Sequence, residues 1–108
     1  MRATETYKYS SCRGSDDGTV TVELTAAGKF EFKWNAQVQV VNGDEGLIRQ
    51  CMEAAARESL EMTTNGKMYR VEVLEVRDNS GESAPIAFAY GIQKAIAAAL
   101  GKQDRDGI

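Results

Sequence analysis

The sequence predicts an α+β fold, a two-layer sandwich in which a four-stranded sheet carries two helices on one face in the order βββαβα. Residues 30–40 alternate strictly between apolar and polar side chains, as a strand with one dry and one wet face does. Residues 44–60 and 84–100 carry apolar side chains at helical spacing. Because no other apolar segments are long enough to cover the dry face, both helices are expected on that side.

The first three strands are predicted to run up, down and up. Residues 5–12 alternate as the first strand, and residues 19–25 form the second, with Val20, Val22 and Leu24 pointing inward. The linker that follows contains Gly28, which can take a positive φ. A hairpin between the second and third strands is therefore expected.

The second half of the chain is predicted to add a helix, a strand and a helix. The fourth strand, residues 68–76, alternates and then changes phase, which predicts a bulge near residues 73–74. Ser83 is the predicted N-cap of the last helix, and Gly101 is its predicted end. Small residues on that helix, among them Gly91, are expected to face residues 54–56 of the first helix and allow close packing.

Phase also predicts one hydrophobic core within a single domain, residues 1–108, whose packed part covers about 5–101 and whose residues 102–108 form a frayed tail. The predicted core residues are Val22, Phe32, Trp34, Val38, Ile48, Met52, Val71, Phe88, Ile92 and Ile96.

Charge and composition narrow the classes of function. The chain has 108 residues and a formal net charge of −3, which gives no overall electrostatic signature of a nucleic-acid binder. Its first residues include no apolar leader, and its longest apolar run is too short for a membrane span, so a cytoplasmic protein without a membrane partner is expected. Cys12 and Cys51 lack metal-ligand spacing and are expected to be reduced thiols.

Several segments together resemble a known family. The run GTVTVELTAAGKFEFKWNAQVQVV, the helix after it, the strand ending in VRDNS and the segment SAPIAFAYGIQKAIAAAL are similar to domain IV of elongation factor G, over roughly residues 7–100. In that family the domain is the arm of the translocase that reaches into the decoding centre and mimics part of a transfer RNA. The resemblance implies a ribosomal protein S5 domain 2-like fold with a left-handed βαβ crossover.

The chain also departs from the family. It contains no P-loop pattern GxxxxGK[ST], so the resemblance implies a free-standing arm that binds no GTP. The loop before the last helix, RDNSGES, is shorter than in the family and lacks its histidine.

The up-down-up order brings one set of loops together at one end of the sheet. The first turn and the starts of both helices meet there, and we call this end the tip. Its charged residues are Arg13, Asp16, Asp17, Asp44, Glu45, Arg77, Asp78 and Glu82. Six carboxylates against two guanidinium groups would repel phosphate and favour a cation or a basic protein surface. The same residue types also serve as turn formers and helix caps.

A second candidate surface is the sheet face that the helices leave uncovered. On the third strand it carries Glu31, Lys33, Asn35, Gln37 and Gln39. A polar face of this kind is either a binding surface or only a solvated one.

The sequence predicts a binding module and no enzyme. The chain has no histidine and no other constellation for acid–base or nucleophilic chemistry, so no catalytic, cofactor or metal site is expected. The resemblance implies a ribosome or a translation factor as partner. The alternative is a basic protein surface or self-association, through the open sheet face or a strand edge.

Overall fold

The computed structural model describes residues 1–11, 14–39, 45–63, 67–78 and 85–106, and it describes residues 11, 36–39, 63 and 102–106 by their backbone alone. The elements are β1 (Arg2–Ser11), β2 (Gly14–Ala26), β3 (Glu31–Gln39), α1 (Glu45–Thr63), β4 (Tyr69–Asp78) and α2 (Pro85–Asp106). The predicted α+β class and the βββαβα order are confirmed. Helix α2 runs through Gly101, the predicted end, and reaches Asp106. The predicted cap Ser83 and the thiol of Cys12 lie outside the described residues.

The sheet has the strand order β1-β2-β4-β3. β2 pairs antiparallel with β1 and with β4, whereas β3 pairs parallel with β4. Three strands therefore point one way and β2 points the other, as the predicted up, down and up directions require. Because β3, α1 and β4 follow one another along the chain, they form a βαβ unit.

The predicted hairpin between β2 and β3 is wrong, because β4 lies between those two strands. The link of residues 27–30 bridges β4, and the Ala27 amide donates to the Met68 carbonyl at 3.0 Å. An extended link of this length reaches about 13 Å, enough to span the two inter-strand spacings of about 4.8 Å each. A linker of this length can therefore join two adjacent strands in a hairpin or two strands with a third strand between them.

The predicted bulge in β4 is confirmed. Thr21 and Val22 are neighbours on β2, but their partners on β4 are separated by Leu74, which is the extra residue. The phase of burial changes across this point, since Val73 and Val76 are both fully buried. An extra residue turns all later side chains of a strand to the opposite face.

Both helices cover the same face of the sheet and bury one core. Of the predicted core residues, Val22, Ile48, Met52, Val71, Phe88, Ile92 and Ile96 are fully buried. Phe32 and Trp34 are partly buried and pack against this core. The predicted burial of Val38 concerns a side chain outside the described part.

Tyr7 of β1 is the point where sheet and helix approach most closely. Its side chain has no exposed surface, and its ring meets Phe88 edge-on at 6.2 Å between centroids. Gly18, its register partner on β2, and Gly91 on α2 both leave room for it, since a Cβ at Gly91 would lie 2.5 Å from the ring atom Cδ1. Gly91 therefore faces the sheet, and the expectation that it faces α1 is wrong.

Replacing Gly91 by Ala should destabilise the fold by about 1–3 kcal/mol, because the new methyl group overlaps a ring that is enclosed on all sides. Gly101→Ala is the matched control on the same helix, since a Cβ there meets nothing within 4 Å. It should be neutral or stabilising by up to about 1 kcal/mol. Urea titrations followed by circular dichroism measure both, and equal effects would contradict the packing described for Tyr7.

Replacing Phe88 by Ala should cost about 3–5 kcal/mol in the free energy of unfolding, because a fully buried aromatic side chain leaves a cavity. Ile86, two residues earlier on α2, is 57% exposed and serves as the control. Ile86→Ala should change the free energy by less than about 0.5 kcal/mol. Thermal unfolding of both variants checks the difference.

Candidate functional site

The tip is formed by the ends of all four strands. β1 ends at Ser11 and β2 begins at Gly14, so their turn lies there, and Asp78 ends β4 opposite Gly18 of β2. α2 starts at the same end, because Tyr9 near the end of β1 contacts Tyr90 in its second turn, with ring centroids 5.9 Å apart. The structure therefore places Asp16, Asp17, Arg77 and Asp78 at this end of the sheet, whereas Glu45 at the start of α1 contacts Trp34, which lies further back on β3 opposite Val73.

Three carboxylates and one guanidinium group of the tip reach the surface. Asp16 and Asp17 are partly exposed, and Glu45 and Arg77 are exposed. Glu45 Oε1 accepts a hydrogen bond from Trp34 Nε1 at 3.2 Å, which ties the start of α1 to β3. The charge that the described tip residues present to solvent is acidic, as predicted. Arg13, Asp44 and Glu82 lie outside the described residues.

Asp78 differs from the other tip residues because its side chain is buried, with 6% exposed. The bulge at Leu74 is the cause, since the alternation after it sends Val76 and then Asp78 to the helix side. A partner that docks on the tip would not meet this carboxylate directly.

The open sheet face carries polar side chains that are largely paired with each other. Glu72 on β4 is the centre of one group: Lys33 Nζ lies 3.8 Å from its carboxylate, and Asn35 Nδ2 donates to it at 3.4 Å. Glu31 is partly buried. Gln37 and Gln39 pair in register with Glu75 and Arg77, and their side chains are outside the description.

Further along the same face, threonine and charged side chains bridge β1 and β2. Thr4 and Thr21 share a hydroxyl hydrogen bond at 2.9 Å. Arg2 Nε donates to Glu23 Oε2 at 2.8 Å, and the amino group of Met1 lies 3.9 Å from the same carboxylate. The hydrogen bond from Arg2, with the nearby positive charges, lowers the pKa of Glu23 below its ordinary value.

Glu23→Gln should therefore reduce stability at pH 7 slightly, by at most about 1 kcal/mol, because the pair lies at the surface. Since the folded-state pKa is the lower one, the contribution is present above the unfolded pKa of about 4.5 and is lost as the pH falls through the folded value. Melting temperatures of wild type and variant should converge as the pH falls below the lowered folded-state pKa of Glu23. Glu61→Gln, an exposed change on α1, is the control. A gap that persists in acid would contradict the ion pair.

A groove of about 690 Å³ lies between α1 and α2 and extends to Tyr9 of β1. It is lined by Tyr9, Cys51, Ala54, Ala55, Glu58, Pro85, Ile86, Ala89, Tyr90 and Gln93. Sequence reasoning missed it. Ile86 and Tyr90 are one helical turn apart and lie off the core stripe, and this second apolar stripe is the signal that could have indicated it.

The aromatic side chains of the β3 region form a row at the edge of the sheet. Phe30, Phe32 and Trp34 all lie on the helix side, and each remains partly exposed. Phe32 and Trp34 have ring centroids 6.3 Å apart. The Arg57 guanidinium group of α1 lies 4.9 Å from the ring centroid of Phe30. We call these three aromatic residues the aromatic row.

Two kinds of feature are absent from the described residues. None of the helices there is long and apolar enough to cross a membrane. In that same part of the chain, no group of three or more histidine, cysteine, aspartate or glutamate side chains is placed to hold a metal ion.

Comparison with protein-family models gives no match, and comparison with curated proteins gives none either. Among solved structures, the fold is similar to the crystal structure of ttk003000868 from Thermus thermophilus, with a TM-score of 0.69 and 16% sequence identity. The match covers 87% of this chain and 14% of that one. At this identity the likeness shows the fold, and the chain spans a small part of the length of the longer protein.

Proposed function

We propose that this chain is a non-enzymatic binding module of the elongation factor G arm type, which docks on a ribosome or a translation factor through its tip. The observation that supports the proposal is that the end of β1, the start of β2, the end of β4 and the start of α2 lie at one end of the sheet, where Asp16, Asp17 and Arg77 reach the surface. Glu45, at the start of α1, adds an exposed carboxylate beside β3. The resemblance in sequence pattern to the family's arm supplies the class of partner. A cytoplasmic location is part of the same proposal.

The proposed mechanism is recognition without chemistry. The chain has no histidine to act as a general base near neutrality and no P-loop to hold a nucleotide. The tip would act by presenting charge at one end of a packed two-layer fold. Among the described tip residues, three accessible carboxylates against one guanidinium group suit a basic protein surface better than phosphate.

Self-association is the second candidate function. It is favoured by the aromatic row, because partly exposed aromatic side chains along a strand edge gain contacts when another strand pairs there. It needs no ribosome, and the two functions use different parts of the molecule.

The double replacement of Asp16 and Asp17 by Lys tests the tip. If the tip contacts a basic protein, co-sedimentation with ribosomes should weaken roughly tenfold at low salt, and the loss should shrink at high salt because screening removes it. If the tip approaches RNA, the same change should strengthen binding by a similar factor, again most at low salt.

Glu58 and Glu61 provide a matched control, since both are exposed and lie toward the opposite end of α1 from the tip. Replacing both by Lys makes the same change in net charge. Equal responses of the two double variants would mean that net charge alone acts. An unchanged affinity in the tip variant would mean that the charges of Asp16 and Asp17, which lie within β2, do not contribute to docking. The absence of any co-sedimentation by the wild type would contradict the ribosomal proposal.

A further inference from the structure

The two edges of the sheet differ in how well their apolar side chains are covered. β1 and β3 are the outer strands. On β1, the helix-facing Ala3 and Tyr7 are fully buried, with 2% and 0% exposed. On β3, Phe32 and Trp34 remain partly exposed, and among the described residues no strand pairs with the outer side of β3. Among the described residues of β1, only Tyr9, near the end of the strand, is an apolar side chain left partly exposed on the helix side, and it packs against Tyr90 of α2. Compared with the helix-side residues of β1, the helix-side rings of β3 are therefore less well covered.

The sequence at this edge is complementary to itself when reversed. Phe30, Glu31, Phe32, Lys33 and Trp34 are arranged symmetrically about Phe32 in chemical type. In an antiparallel pair of two such strands centred on Phe32, each Glu31 lies opposite a Lys33 and each Phe30 opposite a Trp34. Directly opposed residues share a face of the sheet, so charges would pair with charges and rings with rings.

We propose that a second copy of this chain pairs with β3 in this register, antiparallel and about a two-fold axis at Phe32. The result is a symmetric dimer with one continuous eight-stranded sheet and all helices on one side. The proposal specifies how the self-association described above as the second candidate function would occur. It does not depend on whether the tip binds a ribosome.

Charge selects this register over its neighbours. Centring the pair on Lys33 would place the two ammonium groups opposite each other, and centring it on Glu31 would do the same for the carboxylates. Shifting one strand by a single residue relative to the other would place the aromatic side chains of one copy on the same side of the sheet as the charged side chains of the other. Lys33 is available to a partner, because its side chain is 58% exposed and its contact with Glu72 at 3.8 Å is a weak surface pair.

Sedimentation velocity over a concentration series tests the proposal. The wild type should move from a mass of 11.8 kDa toward twice that value as concentration rises. Lys33→Glu and Glu31→Lys, made singly, should each weaken dimerisation about tenfold or more, because two attractive cross-strand pairs become repulsive. The loss should shrink at about 1 M salt, where screening is strong.

The double exchange Glu31→Lys with Lys33→Glu separates this interface from effects within one chain. Across the two-fold axis it restores both opposite-charge pairs, so dimerisation should return to within about threefold of the wild type. Within one chain it is the worst of the three variants, because it sets position 31 beside its register partner Arg70 and position 33 beside Glu72 with like charges. Dimer recovery therefore cannot come from repair of the monomer.

Two further measurements complete the design. Trp34 is the one tryptophan of the sequence, so its emission should shift to shorter wavelength as the dimer forms. Lys8→Glu, an exposed charge reversal on the opposite edge strand β1, should leave dimerisation unchanged. A wild type that stays monomeric up to about 1 mM, a double exchange that fails to recover, or an equal loss in the Lys8 variant would overturn the proposal.

Discussion

The seating of the Tyr7 ring between Gly18 and Gly91 is the contact on which the rest of the fold depends. It fixes the distance between α2 and the β1–β2 side of the sheet, because the ring fills the whole gap and neither glycine adds a side chain to it. α2 then lies directly over β1 and β2, while α1 packs mainly against α2. The close approach of α2 to β1 and β2 therefore depends on both glycines.

The interior position of β4 is the second constraint. Val71, Val73 and Val76 are fully buried, and the strand is hydrogen-bonded on both sides, as suits the most apolar strand of the sheet. β3 is displaced to the edge, where its polar side chains can reach water. The surfaces available for binding are set by this strand order, because a hairpin of β2 and β3 would have enclosed the aromatic row between strands.

Much of the fold could be predicted because alternation and helical spacing are local properties. The strands around Val22 and Phe32, the helices and the bulge near Leu74 all follow from them. The strand order could not be predicted, because the short link after β2 is compatible with β3 beside β2 and with β4 between them. For the candidate site, strand direction was enough to predict that β1 and β4 end, and β2 begins, at the same end of the sheet. The buried position of Asp78 was also within reach, because the phase that places Val76 inward places Asp78 there too. The groove between the helices and the exposure of the aromatic row depend on the distance between the helix layer and the sheet. A local sequence pattern does not predict that distance.

The bulge at Leu74 has a consequence for the shape of the whole sheet. Val22, Val73 and Trp34 pair across the three strands, and so do Val20, Val76 and Val38. Between these two sets of paired residues, the chain advances by two residues on β2, by three on β4 and by four on β3. The number of residues between these two points increases from β2 to β4 to β3. The longer β3 segment must therefore bend or pucker after Trp34. A straight partner strand could pair with β3 only over the short stretch before that bend. A pairing limited to that stretch would bury little surface, and interfaces that bury little surface are weak and transient.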